Sequence, residues 1–210
     1  MVSLPGGRVS FVVGDVSGHG IAAALLMGLI HGAMSTPSWG TPDHDPEVAA
    51  AQLNDLLLTK SSAGRFASMF WCAYDPASGV LRYINAGHLP GLLMRKTTDG
   101  TWSIDRLTEG GPVLGVLGDI TYRTASVEAH EHDLLALFSD GISEATNDRD
   151  DYFGEEGVTM VLQHCRGLSA AATCAAILSA VRSFTGGRPP QDDQTLLIVR
   201  LWRTMDRPVA

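Results

Sequence analysis

The chain has 210 residues, 45% hydrophobic and 18% charged, which is one globular domain at roughly one per ~150 residues and is too apolar for disorder. Its 15 Lys and Arg against 23 Asp and Glu leave a net charge of −8, which argues against nucleic acid or an anionic membrane as partner, since both demand a basic face. Three widely spaced cysteines, Cys72, Cys165 and Cys174, exclude a disulfide framework and zinc-type spacing and fit a reducing compartment.

Residues 4–8 carry hairpin chemistry, and the apolar run 9–13 is the first predicted strand. Ala, Leu and Met predict a helix over 21–34, its longest apolar run (21–30) falling short of the ~20 residues that a membrane span needs. Residues 1–8 have no signal-peptide core, so the chain is read as soluble and cytoplasmic. A loop at 35–45 ends in Asp45-Pro46-Glu47, a helix start with an N-cap acid and a first-turn proline; that helix runs to about Lys60.

Strands then dominate. They are predicted at 69–74 and 80–84 around the turn residues 75–79, and at 92–96 and 102–107 around Thr-Thr-Asp-Gly100. Two more, 122–127 and 134–138, flank His130, Glu131, His132 and Asp133, read as a solvated turn. Helices follow at 155–165 and 169–184, Gly186-Gly-Arg-Pro-Pro190 breaks the second, and 195–202 is a closing apolar strand. Strands cluster and helices come in pairs, so the class is α+β with antiparallel sheets, not alternating βαβ. Residues 1–203 are assigned to one domain and 204–210 to a tail.

Three acidic positions stand at predicted strand ends beside small residues: Asp15 in Gly14-Asp-Val-Ser-Gly-His-Gly20, Asp140 before Gly141, and Asp192-Asp193 before the closing strand. Carboxylates placed so can converge on a hard cation, which takes oxygen ligands. Asp beside Gly serves equally as a turn or cap residue, so the residues alone leave both readings open. The glycine-rich segment 14–20 has neither the lysine of a Walker loop nor dinucleotide-fingerprint spacing. His19 is read as helix-entry structure, His31 as a packing residue or a helix contact, and His88 as making a backbone hydrogen bond in a tight turn.

Taken together, Gly14-Asp-Val-Ser-Gly-His-Gly20, Asn85-Ala-Gly-His-Leu-Pro90, Phe138-Ser-Asp-Gly-Ile-Ser-Glu-Ala145, Phe153-Gly154 and Asp192-Asp-Gln-Thr-Leu-Leu197 resemble, in order and spacing, the PP2C-type (PPM) serine/threonine phosphatases, in their bacterial SpoIIE/RsbU-like branch. The resemblance implies a four-layer α/β/β/α sandwich of two antiparallel sheets flanked by helix pairs. It implies two Mn²⁺ or Mg²⁺ ions and a water that attacks phosphoserine in line. Asp15 would bridge both ions, the Val16 carbonyl would add a ligand, and Asp140 and Asp192 would hold the first ion. Glu144 would stand behind the ligands, and Asp193 would either do the same or be solvated. The implied partner is a phosphorylated STAS-type anti-anti-sigma protein, with an upstream sensor domain or a homodimer as further associations.

The family's acidic strand lies before the hairpin, which here occupies residues 4–8, so that N-terminal strand is expected to be missing. Its acid serves the second ion, and phosphatase activity is accordingly expected to be weak or metal-hungry. The rival expectation is a catalytically impaired module of the same fold that binds a phosphoprotein or dimerises.

Overall fold

The computed structural model describes residues 1–35, 45–61 and 64–203. Most of the expected loop at 35–45 and the tail at 204–210 therefore lie outside the described residues. In chain order the elements are β1 (Val2–Ser3), β2 (Val9–Val16), α1 (Ile21–Met34), α2 (Pro46–Lys60), β3 (Ala67–Asp75), β4 (Val80–Ala86), β5 (Gly91–Lys96) and β6 (Trp102–Leu107). They continue with β7 (Gly110–Gly111), β8 (Ala125–Glu128), β9 (Leu134–Phe138), α3 (Asp140–Ser143), α4 (Gly154–His164), α5 (Ala170–Phe184) and β10 (Leu196–Arg200). The chain divides into two compact units, one of Met1–His88 with Thr108–Glu128, the other of Leu89–Leu107 with Ala129–Ala210. Among the described residues no helix is long and apolar enough to cross a membrane.

The first unit holds a sheet of order β1-β2-β3-β4-β7, with β8 also on β4. Side chains alternate along a strand, so β3 divides its apolar residues between two faces. Met69 and Trp71 join Ile84 and Ala86 of β4 against Ala23, Leu26 and Ile30 of α1 and Ala50, Leu53 and Leu57 of α2. Phe70, Cys72 and Tyr74 take the opposite face and are buried as well. There Phe70 stacks on Tyr83 at 5.6 Å between ring centres, and burial pushes the Cys72 thiol up to about 12. Helix α2 starts as its sequence dictates: the Asp45 carboxylate accepts the Glu47 N–H at 2.9 Å, with Pro46 in the first turn. Asn54 is the buried polar residue of that helix. Its Nδ2 donates to the Leu117 carbonyl and its Oδ1 accepts the Gly115 N–H, both at 2.9 Å, which ties α2 to the loop before β8.

The second unit holds a four-stranded sheet of order β10-β9-β5-β6, antiparallel throughout. Leu92 and Met94 of β5 and Leu134, Ala136 and Phe138 of β9 pack on Val158 and Leu162 of α4 and Ile177 and Val181 of α5. Ser169 caps α5 by accepting the Ala172 N–H at 3.1 Å. Both units thus have the expected plan of a sheet with a helix pair on one face.

Several expectations need correction. Strand β2 runs on to Val16, because Gly14, Asp15 and Val16 pair with Met69, Ser68 and Ala67, so Asp15 lies inside a strand and not after one. The strand expected from Tyr122 begins at Ala125; Tyr122 instead turns its ring into the α1–α2 core, where burial raises its hydroxyl to about 12. Gly110 and Gly111 add a short parallel pairing to β4, against the expectation of wholly antiparallel sheets. A Cβ at Gly110 would lie 2.0 Å from the Asn85 carbonyl oxygen, so only glycine permits that approach. Asp133 is buried, not solvated: its carboxylate accepts the His130 N–H at 2.9 Å and faces Arg95 at 3.9 Å. His31 is exposed on α1 and does not join the core.

Candidate functional site

In the first unit Asp15 is exposed near the end of β2, directly across from Ser68 on β3. Directly opposed residues on neighbouring strands project to the same face, so the two side chains are neighbours. The Ser68 Oγ in turn lies 3.4 Å from the His88 Nδ1. The His88 main chain is held in place, its N–H donating to the Asn85 Oδ1 at 2.7 Å. The segment after Val16 is pinned as well. Ser17 Oγ accepts the Phe66 N–H at 2.9 Å and the Ser17 carbonyl accepts Arg65 Nη1 at 3.2 Å. Gly18 and Gly20 then take φ of +83° and +85°, the left-handed region that favours glycine, to lead into α1. His19 between them is exposed, and Gly20 is the N-cap of α1, without a side-chain cap bond.

In the second unit Asp140 is the first residue of the short helix α3, after Ser139 at the end of β9. Ser139 is a clamp. Its Oγ donates to the Asp193 carbonyl at 2.9 Å and accepts the Thr195 N–H at 2.9 Å, while its N–H donates to the Thr195 carbonyl at 3.0 Å. Gly141 lets the two backbones touch, because a Cβ there would sit 2.3 Å from the Asp193 carbonyl oxygen. Gln194 Nε2 closes the contact by donating to the Gly141 carbonyl at 3.1 Å. The stretch 139–141 and the stretch 192–195 are therefore one rigid piece, and Asp140 and Asp192 move together. The Asp192 Oδ1 accepts the N–H of Asp193 at 2.7 Å, which fixes the carboxylate relative to its own backbone.

These residues border a cleft of about 820 Å³ lined by Asp140, Glu144 and Asp192, with Tyr152, Arg182 and Arg188 also on its wall. Asp193 is exposed and does not line it. The lining contains no histidine or cysteine, so its donors are oxygen, which suits a hard divalent cation such as Mg²⁺ or Mn²⁺. Among the described residues no three His, Cys, Asp or Glu side chains converge closely enough to hold an ion as they stand. The structure thus brings Asp140, Glu144 and Asp192 to one cleft and places Asp15 and Val16 in the first unit. Sequence reasoning missed the roles of two serines, Ser68 and Ser139, the second inside a quoted motif, since each acts through a partner far away in the chain.

The sequence family described as Stage II sporulation protein E (SpoIIE) matches residues 5–202. The chain belongs to the SpoIIE family. It is 31% identical over 137 residues to the phosphoserine phosphatase RsbU of Bacillus subtilis, a match covering 65% of this chain and 39% of that protein. The chain therefore spans well under half of that relative's length. Among solved structures, the SiaA-PP2C domain of Pseudomonas aeruginosa is similar at a TM-score of 0.76 and 19% identity, covering 93% of this chain and 80% of that one. The catalytic domain of the serine threonine protein phosphatase PstP, solved with two manganese ions, is similar at 0.61 and 15% identity, covering 95% and 93%. At these identities the structures establish the PP2C fold for a SpoIIE-family chain.

Proposed function

We propose that this SpoIIE-family chain hydrolyses phosphoserine or phosphothreonine on a regulatory protein of the STAS anti-anti-sigma type. The observation that carries the reading is the rigid piece that places Asp140 and Asp192 on one oxygen-lined cleft. In this reading Asp140 and Asp192 hold a divalent cation on the second unit, and Asp15 and the Val16 carbonyl are the metal ligands that the first unit supplies. When bound, such an ion lowers the pKa of water and offsets the charge of the phosphate. The Asp192 carboxylate is already oriented by the Asp193 N–H, and the Asp140 backbone is held beside it by the Ser139 and Gly141 contacts, so less ordering is needed when the cation arrives. Glu144, on the same cleft and exposed, orients a water by accepting its proton in a hydrogen bond, and Asp193 steadies Asp192 through its N–H. In the net reaction a water oxygen bonds to phosphorus, the bond from phosphorus to the serine oxygen breaks, and that oxygen takes up a proton.

A second reading is a catalytically impaired module that binds a phosphoprotein. It is favoured by the lack, among the described residues, of a ready group of three metal-holding side chains. One experiment separates the two: phosphate release from a phosphoserine protein, titrated with Mn²⁺. The enzyme reading expects turnover that rises with Mn²⁺ at high, non-trace concentrations and falls at least ~100-fold in Asp140→Asn and Asp192→Asn, more than loss of a supporting residue costs. Retention of the phosphoprotein with no release at any Mn²⁺ concentration would leave only the binding module.

A further inference from the structure

The two arginines on the cleft wall are in different states. Arg188 is engaged through its Nε and Nη2. Its Nε donates to the Thr185 carbonyl at 3.1 Å and its Nη2 to the Thr146 carbonyl at 3.3 Å, and Nη2 also pairs with Asp148 at 2.9 Å. It braces the end of α5 against the segment after α3, and its charge is answered. Arg182 lies in the last turn of α5, is exposed, lines the same cleft, and has no carboxylate or side-chain hydrogen-bond partner among the described residues. Its position complements the helix dipole, but that interaction needs only the charge and leaves the guanidinium donors open. One turn earlier on the same face stands Leu178, 40% exposed, and across the lining Tyr152 is 65% exposed.

We propose that Arg182 is a specificity determinant that receives an acidic side chain of the substrate protein close to its phosphoserine, while Leu178 and Tyr152 take the aliphatic part of the same segment. The proposal rests on the phosphatase reading for what enters the cleft. Charge complementarity selects the occupant: in a chain of net charge −8 this open cation shares a cleft with Asp140 and Asp192. The apolar surface beside Arg182 suits a peptide segment and has no use for a bare phosphate. Guanidinium donors match a carboxylate two at a time, which makes the contact selective as well as attractive.

The test uses phosphoserine peptides with Asp walked along the flanking residues, the matching Asn peptides, and p-nitrophenyl phosphate. Binding is read by fluorescence anisotropy without divalent cation, and turnover is read with Mn²⁺. Arg182→Ala should weaken at least one Asp peptide about fivefold in Kd and KM at low salt, as expected for an exposed charge pair. It should leave kcat, the Asn peptides and p-nitrophenyl phosphate unchanged. Arg182→Glu should reverse the preference toward a Lys-flanked peptide. An equal loss on every substrate would overturn the proposal by placing Arg182 on the phosphoryl group, and so would wild-type binding that ignores the flanking charge. If the wild type releases no phosphate from any substrate, the phosphatase reading fails, while the anisotropy series still decides for or against Arg182.

Discussion

The two units are built alike, each a sheet with a pair of helices over one face, yet they hold their acids in different ways. The first unit presents Asp15 from within a hydrogen-bonded ladder, where register with Ser68 fixes it. The second presents Asp140 from a helix start and Asp192 from a loop, and needs the Ser139 clamp and the bare Gly141 backbone to hold the two together. A ladder orients side chains at no extra cost, because the pairing that builds the sheet also sets the face. A loop must be tied down by contacts that serve no other purpose, and those contacts are where the second unit is most vulnerable.

Asp15 and Asp140 each have a glycine beside them, and these two glycines test the contrast. At Gly141 a Cβ would meet Asp193 O at 2.3 Å and Asp193 C at 2.8 Å, both backbone, so something rigid must move. Gly141→Ala is expected to cost about 3 kcal/mol in urea unfolding and to weaken Mn²⁺ binding by calorimetry, through displacement of Asp192. At Gly14 the added Cβ would lie 2.9 Å from Ser68 O, a smaller intrusion, and Gly14→Ala is expected to cost about 1 kcal/mol. Equal costs at the two positions would break the contrast between ladder and clamp.

Next in size is Asn54, the first unit's own long-range tie. Asn54→Ala removes a buried side chain's two partly buried hydrogen bonds, to the Gly115 N–H and the Leu117 carbonyl, and is expected to cost about 2 kcal/mol by urea unfolding. In the second unit Ser169→Ala removes a solvent-exposed cap and should cost about 1 kcal/mol in the same assay. A cap that cost more than the buried asparagine would place the stronger tie in the wrong unit.

The smallest effect sharpens the second unit through pH. Burial raises the Asp133 carboxyl above its usual value, against the opposing pull of the His130 N–H and Arg95. The native state then holds a proton that the unfolded chain has released, so this group's contribution to stability is fully present below the ordinary carboxylate pKa and is lost as pH rises through the raised one. Asp133→Asn keeps an acceptor for the His130 N–H and removes the titration. Its stability relative to wild type should therefore rise with pH across that window and flatten above it, as followed by urea midpoints. A relative stability that fell as pH rose would mean that Arg95 dominates over burial.

Much of this was legible in the sequence because it is local. The apolar runs 69–74 and 134–138, the Asp45 cap and the paired helices depend on neighbours within a few residues, and each was found within a few residues of its place. The order of the acidic motifs pointed to the family, which the SpoIIE match bears out. What escaped depends on distant partners. Asn54 looks like an ordinary surface residue of a helix until Gly115 and Leu117 arrive beside it. Asp133 sits in a polar turn by composition, yet it is buried, with Arg95 of β5 at 3.9 Å from its carboxylate. Gly110 and Gly111 are too short a run to announce a strand, and only the backbone of Asn85 gives them a partner.

The division of the chain carries a practical consequence. Leu92 pairs with Ala136 in the second unit, yet the intervening Thr108–Glu128 belongs to the first, where β8 pairs with β4. The two halves are interlaced, and no single cut frees either one. A fragment ending at Glu128 carries β5 and β6 without β9, and a fragment starting at Leu89 carries β7 and β8 without β4. The second sheet cannot be completed until β9 and β10 have been made, so the nascent chain carries the β5–β6 pair with an open edge until its last strands are synthesised.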